Sequence, residues 1–138
     1  MLAVEFDRWA ALERNPEDSN LQVYGSDDMV TRISLLYRKE GMSVEDFRKY
    51  WRETHAPIAS RMPGLRRYVQ QDVTAVLGLL GGELSTAEQP DGIAEVSFDN
   101  DAASKASLAS PDGQVAVRDL SNFCGAITTF VVEVREVV

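Results

Sequence analysis

The stretch SVEDFRKYWRETHAP, residues 43–57, carries the chain's single histidine, and its reading decides what is built on either side of it. Ser43 stands ahead of a helical run, where its hydroxyl can accept the unpaired N–H of Asp46. Asp46 itself holds the capping-box position more often given to Glu. Phe47, Trp51, His55, Ile58 and Met62 then recur at spacings of four, four, three and four, a single stripe on one helix face. The stripe by itself makes His55 a packed side chain with one nitrogen bonded. Pro57 argues the other way. A proline pushes the residue before it out of helical backbone and fits best at the first position of a new helix. A break over Thr54, His55 and Ala56 is therefore expected, with a short second helix starting near Pro57. From such a break His55 could reach the end of a sheet, where a pocket would open.

Outward from this helix the pattern is of strands. VTRISLLYR (30–38) is a β-branched and aliphatic run before it, with KEGMS as the turn between. GLRRYVQQDVTAV is a second strand, entered through Pro63-Gly64, and IAEVSFD a third; AITTFVVEVREVV closes the chain as a fourth. Between the third and fourth strands, NDAASKASLASPDGQVAVRDLSNF reads as two helical pieces interrupted at Pro111-Asp112-Gly113. The segment LGLLGGELSTAEQPDG reads as a long loop, and it lacks the lysine and hydroxyl residue of a phosphate-binding loop. The order β-α-β-β-α-β is the ferredoxin-like α+β arrangement, a four-stranded antiparallel sheet with its helices on one face. Residues 29–138 form this domain. Residues 1–28 stand apart as a helical extension, with Leu2, Phe6 and Trp9 at i, i+4 and i+7.

Helices on one face leave the other to be covered. The fourth strand has apolar residues on both sides, Ile127 and Val131 on one, Phe130, Val132 and Val134 on the other. A second copy packed sheet to sheet is the expected cover, so a homodimer closing into an α+β barrel is expected.

Composition removes several classes of function. With 14 basic and 22 acidic residues the net charge is −8, which repels a nucleic-acid backbone, and Arg66-Arg67 is a poor footprint. No apolar run approaches the length of a membrane span, and the acidic N-terminus does not resemble a signal peptide; a cytoplasmic protein without membrane contact is expected. One histidine and one cysteine cannot build an ordinary structural zinc site, and Cys124 has no partner for an internal disulfide. Neither a metal nor a cofactor is expected.

The second strand offers partners for His55. Alternation places Arg66, Tyr68, Gln70 and Asp72 on one face and Leu65, Arg67, Val69 and Gln71 on the other. With Leu65 and Val69 assigned to the helix-covered core, Tyr68 and Gln70 point into the space between two sheets. If Ala94, Val96 and Phe98 face the helices, Glu95 enters that same space; it is either a desolvated carboxylate there or an exposed residue on an edge strand. Gln70, Glu95 and Arg66 are candidates for holding a substrate.

The run RISLLYRKEGMSVEDFRKYWRETHAPIASRMPGLRRYVQQ, followed by DGIAEVSFD, resembles the EthD family of the dimeric α+β barrel superfamily. The resemblance is sharpest from Arg38 to Gln71, in Ser-x-Glu-x-Phe, Tyr-Trp-x-x-x-His-Ala-Pro and Pro-Gly-Leu-x-x-Tyr. It implies a dimer of ferredoxin-like protomers with a small-molecule pocket. Family activities include lactone rearrangement in aromatic catabolism and dehydration or decarboxylation in polyketide pathways. A histidine and a tyrosine implicated in the lactone isomerase match His55 and Tyr68. Its third-strand cysteine does not: Val96 stands near that place, which puts that isomerisation itself in doubt. The expected function is cofactor-independent acid/base chemistry on a small aromatic- or polyketide-derived substrate, an isomerisation, dehydration, cyclisation or decarboxylation. His55 would move the proton and Tyr68 would donate to a developing oxyanion. The alternative is a non-catalytic binding or accessory barrel in which His55 is structural. Haem ligation or cofactor-free oxygenation is a weaker option resting on the fold alone.

Overall fold

A computed structural model describes residues 29–138, so the helix read into the first 28 residues lies outside the described residues. The elements are β1 (Val30–Arg38), α1 (Val44–Tyr50), a π-helical turn (Trp51–His55), α2 (Ala56–Ala59), β2 (Arg67–Asp72), β3 (Gly92–Phe98), α3 (Asp101–Ala109), α4 (Pro111–Asp119) and β4 (Cys124–Val132). All pairings are antiparallel in the order β2-β3-β1-β4, the ferredoxin-like sheet. Among the described residues no helix is long and apolar enough to cross a membrane.

Local chemistry sets the helix ends. Ser43 Oγ accepts the Asp46 N–H at 3.1 Å, the expected cap of α1. Ser110 caps α4 by accepting the Gly113 N–H at 3.0 Å, and Pro111 sits in the first turn, where its missing N–H costs nothing. Gly113 has no room for a side chain, because a Cβ there would lie 2.0 Å from the Ser107 carbonyl oxygen. The expected interruption between the two helical pieces is thus a tight α3–α4 junction.

The expected break before Pro57 does not form. His55 and Ala56 keep right-handed helical dihedrals, and the Ala56 N–H reaches back five residues to the Trp51 carbonyl. Pro57 has no N–H to donate, and its ring crowds the preceding turn of an ordinary α-helix. Widening one turn to the π spacing accommodates it without ending the helix. The extra residue in that turn also shifts the stripe. Phe47, Trp51 and His55 stay buried as expected, but Ala59 takes the inward place that an unbroken α-helix gives to Ile58.

The helices lie on the face of the sheet carrying Arg32, Ser34 and Leu36 of β1 and Ala94, Val96 and Phe98 of β3. Two apolar clusters hold them there. One joins Leu36, Phe47, Trp51, Phe123 and Cys124; the other joins Ala59, Met62, Phe98 and Ala116. Each fully buried Leu or Phe contributes roughly 1.5–3 kcal/mol. Trp51 is the largest of these side chains, 1% exposed, and its ring rests on the backbone of Gly92 at the start of β3.

A Cβ at position 92 would stand 2.5 Å from the Trp51 ring. Gly92→Ala is therefore expected to lower stability by about 1–3 kcal/mol, the usual cost of overpacking. Urea unfolding followed by tryptophan fluorescence measures it, and an unchanged midpoint would show that Trp51 does not depend on this glycine.

Candidate active site

His55 is placed by the end of the π turn and is only 5% exposed. Its ring packs on Phe123, with centroids 5.0 Å apart. Its Nδ1 lies 2.8 Å from Oδ2 of Asp119, at the last turn of α4. The other carboxylate oxygen of Asp119 accepts the Tyr50 hydroxyl at 2.7 Å and the Asn122 amide at 2.9 Å. A carboxylate can only accept, so the Nδ1 position carries the proton and the lone pair of the neutral ring is on Nε2.

Burial pushes the Asp119 carboxyl up, but the hydrogen bonds from Tyr50, His55 and Asn122 outweigh it and hold the group below its ordinary range. For His55 the balance falls the other way. Burial disfavours the imidazolium and outweighs the attraction of Asp119, so the pKa lies below the ordinary 6.5. At neutral pH the pair is a carboxylate and a neutral imidazole, a base whose tautomer and direction are fixed.

His55 lines a cavity of about 90 Å³ between helices and sheet. The walls are mostly apolar, with Trp51, Met62, Val96 and Leu120 among them, and the polar groups besides His55 are Tyr68, Arg32, Ser34 and Thr129. The volume is far too small for a haem macrocycle. A larger hollow, about 380 Å³, opens between the end of β1 and the 73–91 loop; neither His55 nor Tyr68 lines it. Of these two, the smaller cavity joins an oriented imidazole to a phenol.

Tyr68 and Gln70 are on the helix side of the sheet, which corrects the expectation that they point between two sheets. They pair with Val96 and Ala94, both helix-facing. The error lies in Leu65, which precedes β2 and so does not share its alternation; Leu65 and Tyr68 both pack in the second core cluster. Gln70 Nε2 donates to the Tyr68 oxygen at 2.8 Å and to the Trp51 carbonyl at 3.0 Å, tying β2 to the π turn. Burial raises the Tyr68 pKa, with donation from Gln70 and Trp51 pulling it partly back, so the phenol keeps its proton and can donate it.

Glu95 does not share that space. It lies on the opposite face of β3, where its Oε2 accepts from Gln71 at 2.6 Å. Arg66 lies outside the cavity as well, in a two-pronged, exposed pair with Asp99 at 2.8 Å for each contact. Cys124 is buried near Asp119, and burial first of all pushes its thiol up to about 12, which leaves no thiolate nucleophile. Among the described residues, no three His, Cys, Asp or Glu side chains converge to hold a metal ion.

Asp119 and Arg32 are the residues that sequence reasoning missed. Arg32 was visible as a charge inside an otherwise β-branched and aliphatic strand. Asp119 gave only the signal of an acid beside the apolar Ala116, Val117 and Leu120.

A ferredoxin-like α+β domain with an oriented histidine in a small apolar cavity is the class that fold and site define. The model of the EthD domain matches residues 39–126, and the chain belongs to the EthD family. No curated protein sequence matches the chain. Among solved structures, an EthD family protein from Bacillus halodurans is 23% identical with a TM-score of 0.62, covering 78% of this chain and 99% of its own. SnoaB, a cofactor-independent oxygenase from Streptomyces nogalater, is 14% identical with a TM-score of 0.54, covering 80% and 97%. A dimeric ferredoxin-like protein of unknown function from Thermobifida fusca is 13% identical with a TM-score of 0.55, covering 77% and 91%.

Because its folded pKa is depressed, His55 contributes stability that is complete above about pH 6.5 and is lost as pH falls toward the folded value. Asp119, also depressed, adds a second decline at lower pH. The single imidazole signal in a proton NMR titration should show a midpoint below 6.5. Asp119→Asn removes the one influence that raises it and should move the midpoint lower still. A wild-type midpoint at or above 6.5 contradicts the neutral, buried base.

Proposed function

We propose that this EthD-family protein is an enzyme that moves protons on a small, largely apolar substrate, with His55 as the base and acid. The observation that carries the reading is that a buried carboxylate occupies Nδ1 while the same ring lines a cavity with Tyr68. A histidine serving only to pack needs no cavity on its free side. Asp119 stabilises the imidazolium that forms when Nε2 takes a proton from carbon or oxygen. Tyr68 donates to the oxygen on which charge then develops, and Gln70 holds the phenol in place. Isomerisation, dehydration, cyclisation and decarboxylation all pass through such an enolate or enol, and substrates derived from aromatic or polyketide metabolism carry the carbonyls it requires. These steps use protein side chains throughout. SnoaB, described as a cofactor-independent oxygenase, is an example of the same fold without a cofactor.

The working unit in this reading is a homodimer. The face of the sheet away from the helices carries Ile33, Leu35, Val69, Ile93 and Phe130, with Phe130 half exposed. A second copy is the cover that the dimeric relative of this fold suggests.

Solvent exchange tests the chemistry before the substrate is known. In D2O, a panel of small cyclic ketones, lactones and phenolic acids is followed by NMR for deuterium uptake. The wild type should accelerate exchange in at least one compound, and His55→Ala should slow it by about 10²–10⁴-fold. Tyr68→Phe should slow it less, as a group that donates without transferring the proton. Equal exchange by wild type and His55→Ala, in dimers with matching circular dichroism, would overturn the assignment.

A further inference from the structure

We propose that the hydroxyl pair Ser34–Thr129 is a second oxygen-binding contact of the His55 cavity. It selects neutral carbonyl compounds that carry another uncharged oxygen, such as hydroxyketones and diketones. This rests on the reading of that cavity as the substrate site and adds the chemical class it takes.

Ser34 and Thr129 pair across β1 and β4, and both line the cavity with His55 and Tyr68. On the helix-covered face they continue a row in which Ala94 pairs with Ser34 and Gln70 with Ala94. The small side chains of Ser34 and Ala94 leave the hollow over the middle of the sheet. Apolar walls surround it, and a hydroxyl in such a place is costly unless bonded. The two oxygens meet that need in each other, 2.8 Å apart. Apolar residues of similar shape would serve the fold about as well, because replacing both partners of such a bond is nearly neutral for stability. The fold therefore gains little from having hydroxyls here.

Two hydroxyls bring two protons, and the bond between them uses one. Whichever oxygen donates, the other keeps its O–H, and neither has a further hydrogen-bond partner among the described residues. Arg32, also in the wall, is already engaged by Ser104 Oγ at 2.7 Å. The pair thus offers one donor, several lone pairs and no charge, which matches a carbonyl or hydroxyl oxygen. Tyr68 lies two strands from Ser34, roughly 10 Å at the backbone, so the phenol and the pair meet separate oxygens of one molecule. Another cross-strand pair, Thr31–Ser97, has the same 2.8 Å bond but lines neither of the two hollows.

NMR titration of the full chain at neutral pH tests the proposal with 4-hydroxycyclohexanone, cyclohexane-1,4-dione and, lacking the second oxygen, 4-methylcyclohexanone. In the double variant Ser34→Ala/Thr129→Val, affinity for the two oxygen-bearing compounds should fall about three- to tenfold, the effect of one neutral hydrogen bond. Affinity for 4-methylcyclohexanone should hold or rise. Thr129→Ser keeps the hydroxyl and should behave as the wild type. His55→Ala removes the proposed base but not the pair, and it should bind all three compounds in the wild-type order. A loss confined to the oxygen-bearing compounds, without any His55-dependent exchange, would leave this inference standing and overturn the base assignment alone. His55-dependent exchange with an unchanged affinity ratio would do the reverse. Binding of neither oxygen-bearing compound by the wild type, or an equal loss for all three in the double variant, would also overturn the inference. Should the double variant fail to fold, the Thr129 methyl signal of threonine-labelled wild type decides. It should move more with 4-hydroxycyclohexanone than with 4-methylcyclohexanone, and equal or absent shifts would overturn the inference.

Discussion

Pro57 has no N–H to give and a ring that crowds the turn before it, and the helix meets this by widening one turn instead of ending. Most of the site's geometry follows. The π turn keeps His55 in line with Phe47 and Trp51, so the imidazole is carried into the interior on a rigid helix. Gln70 then bonds to the Trp51 carbonyl, at the first residue of that turn, and to the Tyr68 oxygen. One local irregularity thereby fixes the base, and through a single amide it fixes the phenol as well. Functional sites often coincide with such single-turn π bulges, because the extra residue re-aims a side chain without the entropy of a loop.

The electrostatics depend on a second long-range contact. An ionised carboxylate as buried as Asp119 would be costly alone, but three donors surround it. Tyr50 comes from α1 and Asn122 from the turn after α4, so the helix carrying His55 and the one carrying Asp119 are locked together by the same network. Its stabilising and chemical roles cannot be separated. The bonds that keep Asp119 charged also set the proton on Nδ1, and burial of the ring keeps Nε2 unprotonated at neutral pH.

Much of this fold was legible in the residues because its signals are local. The bounds of β1, the Ser43 cap and the interruption at Pro111 each follow from a few neighbouring side chains, and the element order follows from their succession. The candidate site was legible in part. His55 and Tyr68 could be named, but the face of Tyr68 was read wrongly, because Leu65 was taken as part of a strand that begins at Arg67. Alternation is reliable only inside a strand, and reading this one from Gly64 instead of Arg67 leaves the parity argument resting on a loop residue. Asp119 was beyond local reading altogether. It stands 64 residues from His55, and only the packing of α4 against the π turn brings them together.

The same parity decides what a second copy could contribute. Had Tyr68 and Gln70 faced the space between two sheets, the site would have been assembled at a dimer interface and shared by two chains. Instead the base, the phenol and the guanidinium all lie on the helix-covered face, and Glu95 with Gln71 lies on the other. A copy packed on the open face meets the back of the sheet. It can stiffen β1 and β3 behind Arg32 and Val96, and it can cover the apolar residues there, but it reaches none of the groups that line the cavity from that side. On the proposed reading the chemistry would be complete within one protomer, and a second copy would act on it only through the rigidity of the sheet.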